Sequence, residues 1–269
     1  MAQTTSDHEV TTQGATGAPA PPGSAATAPP TQVAPVRRPA PWSAWWPVRF
    51  YRSSIGKKWV MAVSGIVLLL FVLFHMLGNL KVYLGRNDLN HYAEWLRTVL
   101  TPFLPRTVAL WILRTLYTTA FFAHIVSAYQ LTRMNQRARP VKYQSPRDYV
   151  AANFASRTMR WTGVIIGLFV IFHLLDLTWG TANPHFVRGD VYDNLKHSFQ
   201  RPAVAAVYIV ANIALAIHIY HGAWSMFQSL GWNNPRFNPW RRYFSTGFAI
   251  LIGVGNVSFP VMVLAGVIH

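Results

Sequence analysis

The sequence predicts an all-α membrane protein built as a five-helix bundle. Two observations carry this. Of the 269 residues, 52% are hydrophobic and only 12% are charged, about half the charged share of a soluble domain. Apolar stretches of about twenty residues recur along the chain, each long enough to cross ~30 Å of hydrocarbon.

Taken in order, residues 1–41 are rich in Ala, Pro, Thr and Gly and nearly lack large apolar side chains. Such a segment cannot bury enough surface to offset its chain entropy, so a disordered tail is expected. No apolar core follows the start, so the tail does not read as a signal peptide. Residues 42–58 begin with Trp42-Ser43-Ala44-Trp45-Trp46-Pro47-Val48-Arg49-Phe50-Tyr51-Arg52, an aromatic and basic run suited to the membrane–water interface. Residues 59–269 form the membrane domain, with spans expected at 59–84, 107–131, 160–180, 203–230 and 244–267.

The net charge of +16 first suggests nucleic acid. The basic residues lie between the apolar segments, however, and read better as topology signals. One side carries Arg37, Arg38, Arg49, Arg52, Lys57 and Lys58, then Arg133, Arg137, Arg139, Lys142, Arg147, Arg157 and Arg160, then Arg236, Arg241 and Arg242. The other has Lys81, Arg86, Arg97, Arg106, Arg188, Lys196 and Arg201. Sixteen against seven places the N-terminus in the cytoplasm and the C-terminus outside.

The chain has no cysteine. That excludes disulfides, thiolate catalysis and cysteine-held iron–sulfur clusters within it, and also covalent c-type haem. Spans one to four each carry a histidine deep in the apolar stretch: His75, His124, His173 and His218. Ionisable groups are costly there and usually functional. At ~1.5 Å per residue from the outer surface, His75 and His173 lie roughly 9 and 10 Å deep, His124 and His218 roughly 27 and 25 Å. Two layers of two imidazoles, each from a different helix, are what two bis-histidine haems b require inside the first four helices. A single membrane histidine is as readily a helix–helix hydrogen-bond partner; the paired depths favour iron. A proton relay needs carboxylate neighbours, and only Asp176 is near. His221 competes with His218 on nearly the same face, but His218 is closer in level to His124. His221 is left to a propionate, a quinone or packing.

Local motifs add a resemblance. Ser53-Ser54-Ile55-Gly56-Lys57-Lys58 precedes span one, Gly78-Asn79 follows His75, and Ser156-Arg157-Thr158-Met159-Arg160-Trp161-Thr162-Gly163 opens span three. His218-Ile219-Tyr220-His221-Gly222-Ala223-Trp224-Ser225-Met226-Phe227-Gln228-Ser229-Leu230-Gly231 is the most specific. Over about residues 50–269 the chain resembles the di-haem cytochrome b membrane-anchor subunit of succinate:quinone oxidoreductase and quinol:fumarate reductase, a succinate dehydrogenase cytochrome b subunit. The resemblance implies haem ligands at His75, His124, His173 and His218, with the first paired to the third and the second to the fourth. It implies a flavoprotein with covalent FAD and an iron–sulfur protein as cytoplasmic partners, menaquinone as substrate, and a place in the respiratory chain of a bacterial plasma membrane. FAD and the clusters belong to those partners, because no strand–Gly-rich-loop–helix unit occurs here. Gly253 and Gly255 lie in an apolar span and read as close-packing positions. Where some members carry a glutamate two residues before the fourth ligand, this chain has Ala216. A proton route through that position is therefore not expected.

An outer quinone site is suggested by Asn79, Tyr83, His91 and Glu94, with Asp176 and Trp179 from span three. An inner rival would use Ser54, Lys57, Arg157 and Trp232. Haem propionates seek cations: Lys81, Arg106 and Arg114 outside, Arg133, Arg157 and Arg160 inside, with Arg157 first. Each is equally explained as a topology or snorkelling residue. The competing readings are a di-haem anchor for another dehydrogenase and a haem-free transporter or scaffold.

Overall fold

The computed structural model describes residues 45–138 and 150–268, the side chains of 150–157 excepted. The expected tail 1–41, residues 42–44, Arg139, Lys142, Arg147 and the Arg157 side chain fall outside the described residues.

The chain runs through α1 (Trp46–Arg52), α2 (Ser54–Asn79), a 3-10 turn (Leu80–Leu84), α3 (Arg86–Thr98), α4 (Val108–Arg137), α5 (Val150–Leu177), α6 (Val191–Phe199), α7 (Pro202–Ser229) and α8 (Asn238–Leu264). Among the described residues there is no strand. Five segments are long and apolar enough to cross a membrane: Ser54–Leu84, Val108–Arg137, Thr158–Leu177, Pro202–Ser229 and Asn238–Leu264.

Several helices start or end beyond the expected spans, because hydropathy marks only what hydrocarbon tolerates while backbone hydrogen bonding continues past it. Thus α2 begins at Ser54, capped by Ser53, whose Oγ accepts from the Gly56 N–H at 2.9 Å. Here α1 and α2 meet so closely that a Cβ on Gly56 would stand 1.9 Å from the Phe50 carbonyl oxygen. Proline near the first turn opens α7 and α8, a position where its missing N–H is harmless.

In the bundle, α7 packs on α8, α5 and α2, and α2 packs on α4. As expected from the sequence, small residues bring α8 close. A Cβ on Gly253 would lie 3.0 Å from the Ala216 Cβ, and one on Gly255 would meet the Met76 sulfur at 2.3 Å. Large apolar side chains such as Leu70, Phe74, Leu168, Ile171 and Val254 face outward, as a lipid-solvated surface requires. A buried cluster including Met76, Leu89, Tyr192, Leu195, Phe199, Tyr208 and Phe259 fills one end of the bundle.

That end is closed by two helices that hydropathy does not reveal. Residues expected to be loops form α3 and α6. Arg86 pairs with Asp190 and, at 3.2 Å, with Asp193. Asn90 Nδ2 donates to Asp190 Oδ1 at 2.9 Å, and its Oδ1 accepts from the Tyr192 N–H at 3.1 Å. The Asp190 side chain also caps α6 by accepting from the Asp193 N–H at 3.2 Å.

Candidate functional site

The four span histidines meet in two pairs. His75 of α2 and His173 of α5 lie toward the α3/α6 end, with ring centres 5.8 Å apart. His124 of α4 and His218 of α7 lie toward the other end, with ring centres 6.4 Å apart. Neither pair sits on two helices that pack extensively together, so each spans the bundle interior diagonally. No ring is fully covered by protein: His75 is exposed and the other three are half-buried.

An imidazole nitrogen stands ~2 Å from a first-row metal, and the ring centre lies ~1 Å behind it. Two rings on opposite sides of one iron therefore stand ~6 Å apart, and both pairs match. The chemistry of the donors also fits. In every ring Nδ1 has a polar partner: Asn79 Nδ2 at 3.2 Å for His75, the Met61 carbonyl at 3.1 Å and Ser64 Oγ at 3.4 Å for His124, Tyr208 Oη at 3.4 Å for His173, and Thr162 Oγ1 at 3.1 Å for His218.

Those partners also fix where the ring proton sits. The Met61 carbonyl can only accept. Ser64 donates its hydroxyl proton to the Val60 carbonyl at 2.6 Å, Thr162 to the Thr158 carbonyl at 2.7 Å and Tyr208 to Asp176 at 2.9 Å. Each hydroxyl oxygen is left as an acceptor, so Nδ1 carries the proton and the Nε2 lone pair is free for a metal. For His75, a half-turn of the Asn79 amide presents its oxygen instead. This two-ligand geometry suits an axial pair on a haem; among the described residues no three His, Asp or Glu groups cluster as a protein metal cage.

Sequence reasoning missed Ser64, Thr162 and Tyr208, although a signal for the first two is present. Met61-x-x-Ser64-Gly65 ends ten residues before His75, and Met159-x-x-Thr162-Gly163 ends ten residues before His173. Between the two segments Leu, Phe, Val and Phe also coincide before each histidine. The two copies do the same work. Ser64 and Thr162 meet the histidine of the next long helix, and a Cβ on Gly65 or Gly163 would stand 3.5 or 3.7 Å from that ring's Cε1. Both distances are ordinary van der Waals contact, so the backbones of α2 and α5 run directly alongside the rings.

The other expected site residues disperse. Asn79 backs His75, while the Tyr83 hydroxyl donates to Ser258 Oγ at 2.6 Å. Glu94 is paired with Arg97 at 2.9 Å and with Arg106, whose hydrogen bonds hold its carboxyl below the usual carboxylate range. His91 and Trp179 are exposed. Lys81 lies over the Tyr92 ring at 5.7 Å, Arg114 over the Trp111 ring at 5.1 Å, and His221 packs edge-on against Tyr220 at 4.9 Å. Asp176, an outer quinone candidate in the sequence, is fully buried, and Arg201 at 2.5 Å, Ser198 and Tyr208 all donate to it. At the opposite end Arg241, counted in the sequence as a topology charge, is buried. It lies over the Trp224 ring at 4.4 Å and donates to the Trp232 carbonyl at 3.2 Å and to Asn238 Oδ1 at 2.6 Å.

No curated protein and no solved structure matches the chain. The family model described as "Succinate dehydrogenase/Fumarate reductase transmembrane subunit" matches residues 132–257, from the last turns of α4 through most of α8, with His173 and His218 inside the match. Over that stretch the chain is similar to the transmembrane subunits of succinate dehydrogenase and fumarate reductase, and its five long apolar helices fit a multi-pass membrane protein.

Proposed function

We propose that this subunit holds two haems b, one between His75 and His173 and one between His124 and His218. Held there, the haems would supply one-electron chemistry between an iron–sulfur partner subunit and a membrane quinone. The observation that supports the reading is the pairing of rings ~6 Å apart, the spacing of two imidazoles on one iron, with every Nδ1 engaged so that Nε2 is left for a metal. With a histidine from each of two helices holding it, each haem would supply electron transfer rather than oxygen chemistry.

The protein's part is to hold the rings. Met61, Ser64 and Thr162 orient the inner pair from α2 and α5; Asn79 and Tyr208 orient the outer pair. The charge asymmetry of the loops supports an N-terminus in the cytoplasm of a bacterial cell. The flavoprotein and iron–sulfur subunits then dock at the α1 end, and the α3/α6 end faces outward. Quinone, as menaquinone by resemblance, is read at that outer end beside Asn79, Tyr83 and Trp179. Lys81 is the propionate candidate closest in sequence to the outer pair.

A reduced-minus-oxidised spectrum of the purified complex, with haem quantified per chain, tests this. Two b-type haems per chain are expected. A colourless subunit would overturn the reading in favour of a haem-free scaffold.

A further inference from the structure

Asp176, three residues beyond His173 on α5, has no exposed surface, and its two oxygens are shared among three donors. Arg201 Nη2 takes Oδ1 at 2.5 Å, while Ser198 Oγ and Tyr208 Oη both donate to Oδ2, Tyr208 at 2.9 Å. Tyr208 has thereby committed its only proton to a carboxylate. Its oxygen turns a lone pair to His173 Nδ1 at 3.4 Å, and the two rings stand edge to face with centres 5.9 Å apart. His75, His124 and His218 are backed by an amide, a carbonyl with a hydroxyl, and a hydroxyl. Among the described residues, only His173 has a carboxylate one hydrogen bond behind its Nδ1 partner.

We propose that Tyr208, polarised by Asp176, is a positioning residue that selectively holds down the reduction potential of the haem bound at His173. The inference rests on His173 being an axial ligand. A phenol oxygen made electron-rich by Asp176 accepts the Nδ1 proton more strongly. The imidazole then becomes a better donor through Nε2, which favours the ferric over the ferrous state. Arg201 offsets the carboxylate's net charge. The local dipole from Asp176 through Tyr208 to the ring remains.

The test is a spectroelectrochemical titration of the purified complex as wild type, Tyr208→Phe and Ser198→Ala. Tyr208→Phe removes one oxygen and should make one haem about tenfold easier to reduce, an upward shift of about 59 mV for a one-electron couple, with the other haem unmoved. Ser198→Ala removes the donor that competes for Oδ2, so Tyr208 is polarised further and the same haem should shift downward. Opposite signs at one haem are not produced by general loosening of the bundle. Unmoved potentials in both variants, equal shifts of both haems, or shifts of one sign overturn the proposal. If Tyr208→Phe loses the haem altogether, Ser198→Ala decides: a downward shift supports the proposal and no shift refutes it. A wild-type complex without haem overturns the functional reading and this proposal with it. Wild-type haems whose potentials ignore both variants overturn the proposal alone.

Discussion

Thr162 Oγ1 stands 3.1 Å from His218 Nδ1 while donating its own proton to the Thr158 carbonyl at 2.7 Å, so a helix-bound hydroxyl is the acceptor behind one imidazole of the inner pair. Thr162→Val keeps the shape and removes the acceptor. The inner haem is expected to become easier to reduce by roughly fivefold, the weight of about 1 kcal/mol of hydrogen bond, with the outer haem unchanged. Ser64→Ala should do less, because His124 retains the Met61 carbonyl at 3.1 Å. Redox titration of the two variants checks both expectations.

Single replacements of the four histidines should sort into two classes. His75→Ala and His173→Ala are expected to remove one and the same haem; His124→Ala and His218→Ala remove the other. His221→Ala should keep both. Low-temperature difference spectra and haem content per chain read this directly, and loss of the same haem from His75→Ala and His124→Ala would break the pairing.

The Asp176–Arg201 pair predicts a non-additive stability pattern. Arg201→Met leaves a fully buried carboxylate without its cation, a loss of about 3 kcal/mol, the lower end for broken buried pairs because Arg201 is partly exposed. The double variant Asp176→Asn with Arg201→Met removes both charges and should recover much of that loss. Thermal denaturation in detergent measures it; additive losses would mean the pair does not act as a unit.

Acid should loosen the α3/α6 end through Asp190. Burial raises its pKa, but hydrogen bonds from Arg86, Asn90 and the Asp193 N–H, with the charge of Arg86, outweigh burial and bring it down to about 2. Its contribution is therefore fully present above about 3.9, the value of a free aspartate, and is lost as pH falls through about 2. At neutral pH Asp190→Ala should lose about 1 kcal/mol as the α6 cap disappears. The Tm difference from wild type should shrink in strong acid, and a difference that grows there would contradict this.

Much of the architecture was legible from the sequence because membranes impose a coarse rule: long apolar runs, with cations gathered at their ends. The two layers of histidines could be read in the same way, since a lone polar side chain in such a run has few innocent explanations. The groups behind the rings were not legible. Tyr208 and Ser198 reach Asp176 across 32 and 22 residues of chain, and no local pattern marks them. By contrast, Ser64 and Thr162 could have been found by aligning the α2 segment with that of α5. Helices α3 and α6 escaped because they are short and polar outside, and what orders them is contact with each other. The partners of Asp176 were not legible either, because its neutralising cation, Arg201, lies on a different helix boundary.

The joint between α3 and α6 has two components that respond differently to their surroundings. The guanidinium of Arg86 is 58% exposed, so dissolved ions reach it, and at molar ionic strength the screening length falls to about 3 Å. The amide of Asn90, held between the Asp190 carboxylate and the Tyr192 backbone, does not depend on long-range charge. Concentrated salt therefore weakens one fastening and leaves the other, giving the two connectors a graded rather than an all-or-none attachment.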